Sequence, residues 1–455
     1  ARFIDFRERA PRLATRTMYL DARGNVRPGA STKGWLAIGV PGTVAGLERA
    51  REEFGTMPRA QLMAPAIVLA RDGFVYTAAD VPAFGGYPRP GDRWRQPQLA
   101  ATLALIARDG SDAFYRGPIA HEIVAASNAH GGILTMQDFS DYRVEERAPL
   151  ECRFHGYDII SAPPPSSGGT TLCEILNVIA PYPLAQWGRH DVRAVHYITE
   201  AERFAYADRN AYLGDPDFVR NPVAQLLSPA YAAEIRRRIE ANPVTPSADV
   251  APGLGAPSNE GVDTTHYSIV DRWGNAVAVT YTINDSYGAG VIAGNTGFFL
   301  NDEMDDFTSK PGVPNLYGLV QGERNAIAPG KRPLSSMAPT IVTQNGALRM
   351  VTGSPGGSRI ITIVLETMLN ALVYGMSAQA AVDAARTHMQ WRPDVLEYEP
   401  QALTAATMQQ LRTLGYTLRM QQPWGSAQAI VVDPATGALE GGTDPRTPAG
   451  AAMGY

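Results

Sequence analysis

The 455-residue chain is 45% hydrophobic and 19% charged, which excludes disorder for its bulk and is enough to bury a large core. Its net charge of −5 comes from interleaved acids and bases, so no basic surface for nucleic acid is implied. The best apolar run, residues 360–375, is interrupted by Glu366 and Asn370, so no membrane span is expected.

The opening ARFIDFRERAP carries charges where the core of a signal peptide would be apolar, and without an initiator Met the chain is expected to start inside a longer precursor. Length allows two or three domains or one large α/β unit. Residues 97–110 and 117–132 show helical spacing and each stops at glycine, while Thr135 precedes Asp138 as a capping-box variant. Residues 153–169 read as one strand ending in the proline turn APPPSSGG, followed by a helix beginning TTLCEILNVIA. Cys152 and Cys173 flank this turn and are either small apolar core residues or one disulfide. A long helix is expected after Asp191, its N-cap.

Residues 242–263, rich in Pro, Gly, Ser and Ala, read as an exposed mobile linker and the one clear boundary. Beyond it lie three hairpins: residues 264–284 around Gly274-Asn275, residues 338–354 around Asn345-Gly346, and residues 428–443. Helices are expected over 358–375, 377–390 and 403–416. Hairpins alternating with runs of helix predict antiparallel sheets with helices packed outside, an α+β class.

The stretch GVDTTHYSIV places Thr264 where the linker meets a strand. A β-branched residue fits a strand start for packing reasons alone. The alternative is a nucleophile: if the chain were cut before Thr264, the new α-amino group, with an ordinary pKa of ~7.7 to 8.0, would be its base. His266 shares the face of Thr264 and is either packing or support, since no GxSxG accompanies it. The turn VTGSPGGSRI offers backbone N–H groups for an anion or oxyanion, or serves close helix–sheet packing; it lacks the lysine ending of a P-loop. NDEMDDF has neither EF-hand nor HExxH spacing, so no metal is expected; Glu303 and Asp306 either hold an ammonium or form a solvated acidic turn. Ser335 and Ser336 are donors for a carboxylate or part of a simple turn. Tyr317 is the aromatic of a loop that is either a lid or ordinary surface.

Taken together, FRERAP (6–11), PGTVAGL (41–47), LARDGF (69–74), PPPSSGG (163–169), AYADRNAYLGDPDF (205–218), TTHYSIVD (264–271), NDEMDDF, PNLYGLV, KRPLSSMAPTIV, GSPGGSRII and the terminal DPR and GY resemble the γ-glutamyltranspeptidases, members of the N-terminal nucleophile hydrolases. The resemblance implies a four-layer αββα sandwich of two antiparallel sheets with outer helices. It implies one precursor that cuts itself between Asp263 and Thr264 into a large segment, 1–263, and a small one, 264–455. Thr264 would attack a γ-glutamyl amide and pass the acyl group to water, an amino acid or a peptide. Thr282 matches the position that orients the nucleophile, and Gly356 and Gly357 match the oxyanion site. Arg7, Ser335 and Ser336 match the groups around the substrate α-carboxylate, and Asn284, Glu303 and Asp306 those around its α-amino group. Tyr317 matches the tip of a lid loop. No cofactor is implied, and export to the periplasm or beyond is usual for bacterial relatives.

The sequence departs from the pattern in two ways. The family's segment ahead of FRERAP is missing, so Arg7 is expected too near a free end to be held well. The sequence is also unbroken across Asp263 and Thr264, which leaves an uncut, inactive scaffold as an alternative. A third alternative is an acylase acting on glutaryl amides or cephalosporins, although such substrates need no acids for an ammonium.

Overall fold

A computed structural model describes residues 1–81, 88–250 and 264–454. Its organising element is a six-stranded antiparallel sheet. The strands are β1 (Leu150–Phe154), β2 (Tyr157–Ser161), β5 (Thr340–Gln344), β6 (Ala347–Gly353), β7 (Gln428–Val432) and β8 (Leu439–Thr443), in the order β8-β7-β6-β5-β2-β1. The two strands between β2 and β5 in sequence, β3 (Thr264–Val270) and β4 (Ala276–Thr282), form a separate hairpin. The expected α+β class is thus observed, and one sheet draws strands from both sides of Thr264.

The turn chemistry explains the register. Asn345 and Gly346 both have positive φ, 52° and 79°, which suits a two-residue turn between β5 and β6. His155 and Gly156, with φ of 48° and 84°, do the same between β1 and β2. The sequence reading merged these last two into one strand because His-Gly is a weaker turn signal than Asn-Gly.

Five helices matter for the site. They are α1 (Pro97–Asp109), α2 (Pro118–Ala129), α3 (Gly168–Ile179), α4 (Val192–Tyr212) and α5 (Ile360–Leu372). Asp191 caps α4 by accepting from the Arg193 N–H, and the Thr135–Asp138 capping box is formed. One core joins Leu172, Ile175 and Leu176 of α3, Phe204 of α4 and Ile361, Val364 and Leu365 of α5 to Ile159, Val342 and Met350 of the sheet. A second core holds Ile106 of α1, Ile123 of α2, Phe139 and Leu300. Each fully buried aliphatic or aromatic side chain stabilises the fold by ~1.5–3 kcal/mol before entropy is counted. Cys152 and Cys173 form a disulfide, Cα–Cα 6.0 Å, which ties β1 to α3.

Two further expectations fail here. The segment 242–250, read as exposed linker, is anchored: Ser247 is buried, its Oγ donates to the Trp391 carbonyl at 2.5 Å, and its N–H donates to Asp394 Oδ2 at 2.8 Å. Thr245 N–H likewise meets Glu200 Oε2 at 3.0 Å. Small polar residues can be loop-like in composition and still serve as hydrogen-bond anchors. The remainder of that linker, with Asp263, lies outside the described residues, as does Tyr455 of the terminal GY motif. The helix expected over 377–390 stops at Asp383, and Thr387–His388 is extended, which lets Thr387 bond Glu366 through both its N–H and its hydroxyl.

Candidate active site

The first residue of β3, Thr264, lies in register with the last of β4, Thr282, and the Thr264 hydroxyl donates to the Thr282 Oγ1 at 3.2 Å. Strand periodicity explains why: residues 264, 266 and 268 share a face, and 282 and 280 stand opposite them. The Asn284 N–H also bonds Thr282 Oγ1, at 2.8 Å, fixing that hydroxyl from the chain that follows. Thr265 points the other way, exposed. Thr264 lines a groove of about 780 Å³ shared with Pro355, Trp424, Gly425 and Ser426 and with residues 446–453.

His266 is buried over Gly353 of β6, where any side chain at 353 would collide with its ring. Its Nδ1 meets Thr280 Oγ1 at 2.8 Å and its Nε2 meets Ser268 Oγ at 3.1 Å. Burial pulls its pKa down to about 3, so the ring is neutral. It packs the hairpin onto the sheet and faces Thr280 and Ser268 rather than Thr264.

The glycine turn follows β6. Gly356 (φ 144°) and Gly357 (φ 55°) lead through a short 3-10 turn, Gly357–Arg359, into α5, and no side chain caps the N-terminus of either. Gly357 has a second constraint, because Tyr317 packs against its α-carbon where a side chain would stand. Tyr317 is 4% exposed, and its hydroxyl donates to the Asn284 carbonyl at 2.9 Å and side-chain oxygen at 2.7 Å. The loop bearing Tyr317 is therefore seated on the site and is no ordinary surface loop. Asn284, at a positive φ of 77°, also donates from Nδ2 to the Asp302 carbonyl at 3.2 Å.

The acidic turn is a 3-10 turn, Glu303–Asp306, and it is buried, not solvated. Its partner is Arg7, whose Nη1 meets Glu303 at 2.5 Å and whose Nη2 pairs with Asp306. Arg7 also lies 3.5 Å from Glu8 and donates from Nε to the Pro333 carbonyl at 3.3 Å. The expectation that Arg7 is poorly held is wrong: it is 5% exposed and fixed from residues far along the chain. Burial alone would lower its pKa, but Glu303, Asp306 and Glu8 outweigh that and raise it. Burial raises the carboxyls, Glu303 well above the usual range and Glu8 to about 7, with Arg7 opposing. Three acids crowded on one cation keep a proton among them at neutral pH. Asp302 beside them is pushed up to about 8, by burial first, and one of its oxygens has no partner among the described residues.

Ser335 and Ser336 are buried beside the PPPSSGG turn. The Ser335 carbonyl accepts from Ser167 N–H at 2.8 Å and from Ser167 Oγ at 2.6 Å. Ser335 Oγ accepts from the Met337 N–H at 2.9 Å. Ser336 Oγ accepts from Arg209 of α4 at 3.0 Å. Arg209, Glu8 and Ser167 were not singled out from sequence. All three sit in quoted motifs, FRERAP, PPPSSGG and AYADRNAYLGDPDF, but nothing in the local sequence sets them apart from their neighbours. Among the described residues no group of three or more His, Cys, Asp or Glu side chains is arranged to hold a metal ion.

The profile of the family described as Gamma-glutamyltranspeptidase matches residues 1–83 and 79–454. A glutathione hydrolase proenzyme from Pseudomonas sp. (strain A14) is 52% identical, over 100% of this chain and 84% of its own. The glutathione hydrolase proenzyme of Escherichia coli (strain K12) is 44% identical, over 99% of this chain and 81% of its own. The solved cephalosporin acylase from Bacillus halodurans superposes with a TM-score of 0.82 at 27% identity, over 98% of this chain and 83% of that one. The chain belongs to the γ-glutamyltranspeptidase family.

Proposed function

We propose that this protein is a γ-glutamyl hydrolase and transferase, acting on the γ-glutamyl amide of glutathione-like compounds after cutting itself between Asp263 and Thr264. The observation that carries the reading is the Thr264–Thr282 hydroxyl contact at the open end of the hairpin, on a chain of this family. The cut frees the Thr264 α-amine, which takes the proton from its own Oγ as that oxygen attacks the γ-carbonyl carbon. Backbone N–H groups of Gly356 and Gly357 receive the charge that develops on the carbonyl oxygen, a contribution of ~3 kcal/mol per donor in other acyl-transfer enzymes. The proton then passes to the departing amine, and the acyl group remains on Oγ. Water or the amine of an amino acid or peptide reverses the step, losing its proton to the same α-amine.

Around the reacting bond, Arg7, Ser335 and Ser336 hold the α-carboxylate, and Asn284, Glu303 and Asp306 receive the α-ammonium. A buried acid pair favours an ammonium-bearing γ-glutamyl group over the glutaryl and cephalosporin side chains of the acylase alternative. Tyr317 closes the loop over the acyl group, limiting access by water. The products of the cut, 1–263 and 264–455, stay together because the six-stranded sheet takes β1 and β2 from one and β5 to β8 from the other. The β3–β4 hairpin, stacked on the sheet through His266, belongs to the second sheet of a four-layer αββα sandwich. No helix among the described residues is long and apolar enough to cross a membrane; we place the protein in the periplasm or outside the cell by analogy with its bacterial relatives.

The test is hydrolysis of a γ-glutamyl anilide. Turnover is expected to vanish in Thr264→Ala and to fall at least tenfold in Arg7→Ala; unchanged turnover in the first contradicts the mechanism, and in the second the carboxylate assignment.

A further inference from the structure

The two arginines near the site are balanced very differently. Arg7 faces three carboxylates. Arg209, 1% exposed, donates only to neutral oxygens among the described residues: Ser167 Oγ at 2.9 Å, Asn210 Oδ1 at 2.8 Å, Gln321 Oε1 at 3.4 Å and Ser336 Oγ at 3.0 Å. A buried cation normally has an acid against it. Burial pulls the Arg209 pKa down to about 10, which still leaves it charged at neutral pH.

We propose that Arg209 is a positioning residue for substrate binding: it aims the Ser336 hydroxyl at the substrate α-carboxylate and supplies positive charge, less fully balanced than that of Arg7, that attracts it. The inference rests on the γ-glutamyl reading above. A serine hydroxyl has one proton and two acceptor positions, and a guanidinium accepts nothing. With Arg209 donating to Ser336 Oγ, the hydroxyl proton must point away from the arginine, toward an acceptor in the site. Ser167 fixes the geometry, since it accepts from Arg209 Nε while donating to the Ser335 carbonyl, and so links the cation to both serines. Arg7, already paired with Glu303 and Asp306, brings little net charge to an incoming carboxylate. Arg209 acts on Asp306 only at a distance, so its field is cancelled less completely than that of Arg7.

The experiment compares γ-glutamyl p-nitroanilide with 4-aminobutyryl p-nitroanilide, which lacks only the α-carboxylate. In Arg209→Gln, KM for the first is expected to rise at least tenfold with kcat within threefold, while kcat/KM for the second changes less than threefold. Arg209→Lys, which restores the charge, is expected to recover part of the KM. Asp306, which feels the Arg209 charge at a distance, keeps its direct pair with Arg7 in the neutral variant, so no acid is stranded. Should it nevertheless fail to fold, Ser167→Ala, which loosens the guanidinium without removing it, is expected to raise KM selectively for the α-carboxylate substrate. Equal losses on both substrates, or a fall in kcat alone, overturn the positioning role. Wild-type protein that turns over neither anilide overturns the γ-glutamyl reading and this proposal with it. Wild-type activity with a preference that Arg209→Gln leaves intact overturns this proposal alone.

Discussion

The two ends of the site are built from opposite materials. At the reactive end, Thr264, Thr282 and the Gly356–Gly357 turn offer hydroxyls and backbone groups, and the nearest imidazole, His266, is neutral and turned to Thr280 and Ser268. At the binding end, Arg7, Glu8, Glu303 and Asp306 form a buried ionic cluster. The difference teaches where the base comes from. No ionisable side chain bonds the Thr264 hydroxyl among the described residues, which agrees with the proposed mechanism, in which the α-amine freed by the cut is the proton acceptor. On the proposed function, the charged end recognises and the uncharged end reacts.

The sharpest way to break this division is Asp306→Asn. Removing Asp306 loses a charge-assisted hydrogen bond to Arg7, about 2 kcal/mol, while Arg7 keeps Glu303 and Glu8. A lower denaturation midpoint and a raised KM are expected, while cutting before Thr264 continues. A folded Asp306→Asn protein that no longer cuts itself would show that the two ends are one device.

A pH-dependent effect probes the charge of the cluster. Burial lifts the Asp302 carboxyl to about 8, against ~3.9 for an unfolded aspartate, so the folded protein holds a proton that the unfolded chain has released between those values. That contribution to stability is complete below about pH 4 and is lost as pH rises through about 8. Asp305, raised to about 6, and Glu8, raised to about 7, act with the same sign. Asp302→Asn should therefore unfold later than the wild type at pH 9, with the gap closing toward pH 5, as read from thermal unfolding. A gap that does not change with pH would mean that Asp302 is ionised in the folded protein.

The smallest change expected is at the hinge between the two ends. Tyr317→Phe loses the bonds to Asn284 but keeps the ring on Gly357. A cost of ~1 kcal/mol, about fivefold in kcat/KM, is expected. A thousandfold loss would make the hydroxyl part of the chemistry.

Much of this was legible in the sequence, for physical reasons. Strand period and a turn near Gly274 made the hairpin legible, but Thr282 was reached through the family resemblance. A two-residue turn at Gly274-Asn275 would set Thr264 three residues out of register, whereas residues 271–275 form the connection. The capping box at Thr135 and the N-cap at Asp191 were equally local. What was hidden depends on contacts between distant segments. Nothing near Arg7 in sequence reveals that residues 303 and 306 clamp it, and nothing in the composition of 242–250 reveals that Ser247 locks onto Trp391 and Asp394. The buried Arg209 was masked in the same way, since its surroundings come from three separate stretches of chain.

Peptide mapping tests the central claim most directly. The purified protein is digested with trypsin before and after brief exposure to a slowly hydrolysed γ-glutamyl substrate, and the peptide Thr264–Arg272 is followed by mass spectrometry. The account predicts that this peptide begins with a free Thr264 amine and gains one γ-glutamyl group on Thr264 after exposure. An intact peptide spanning Asp263 and Thr264, or the acyl group on any other residue, would contradict it.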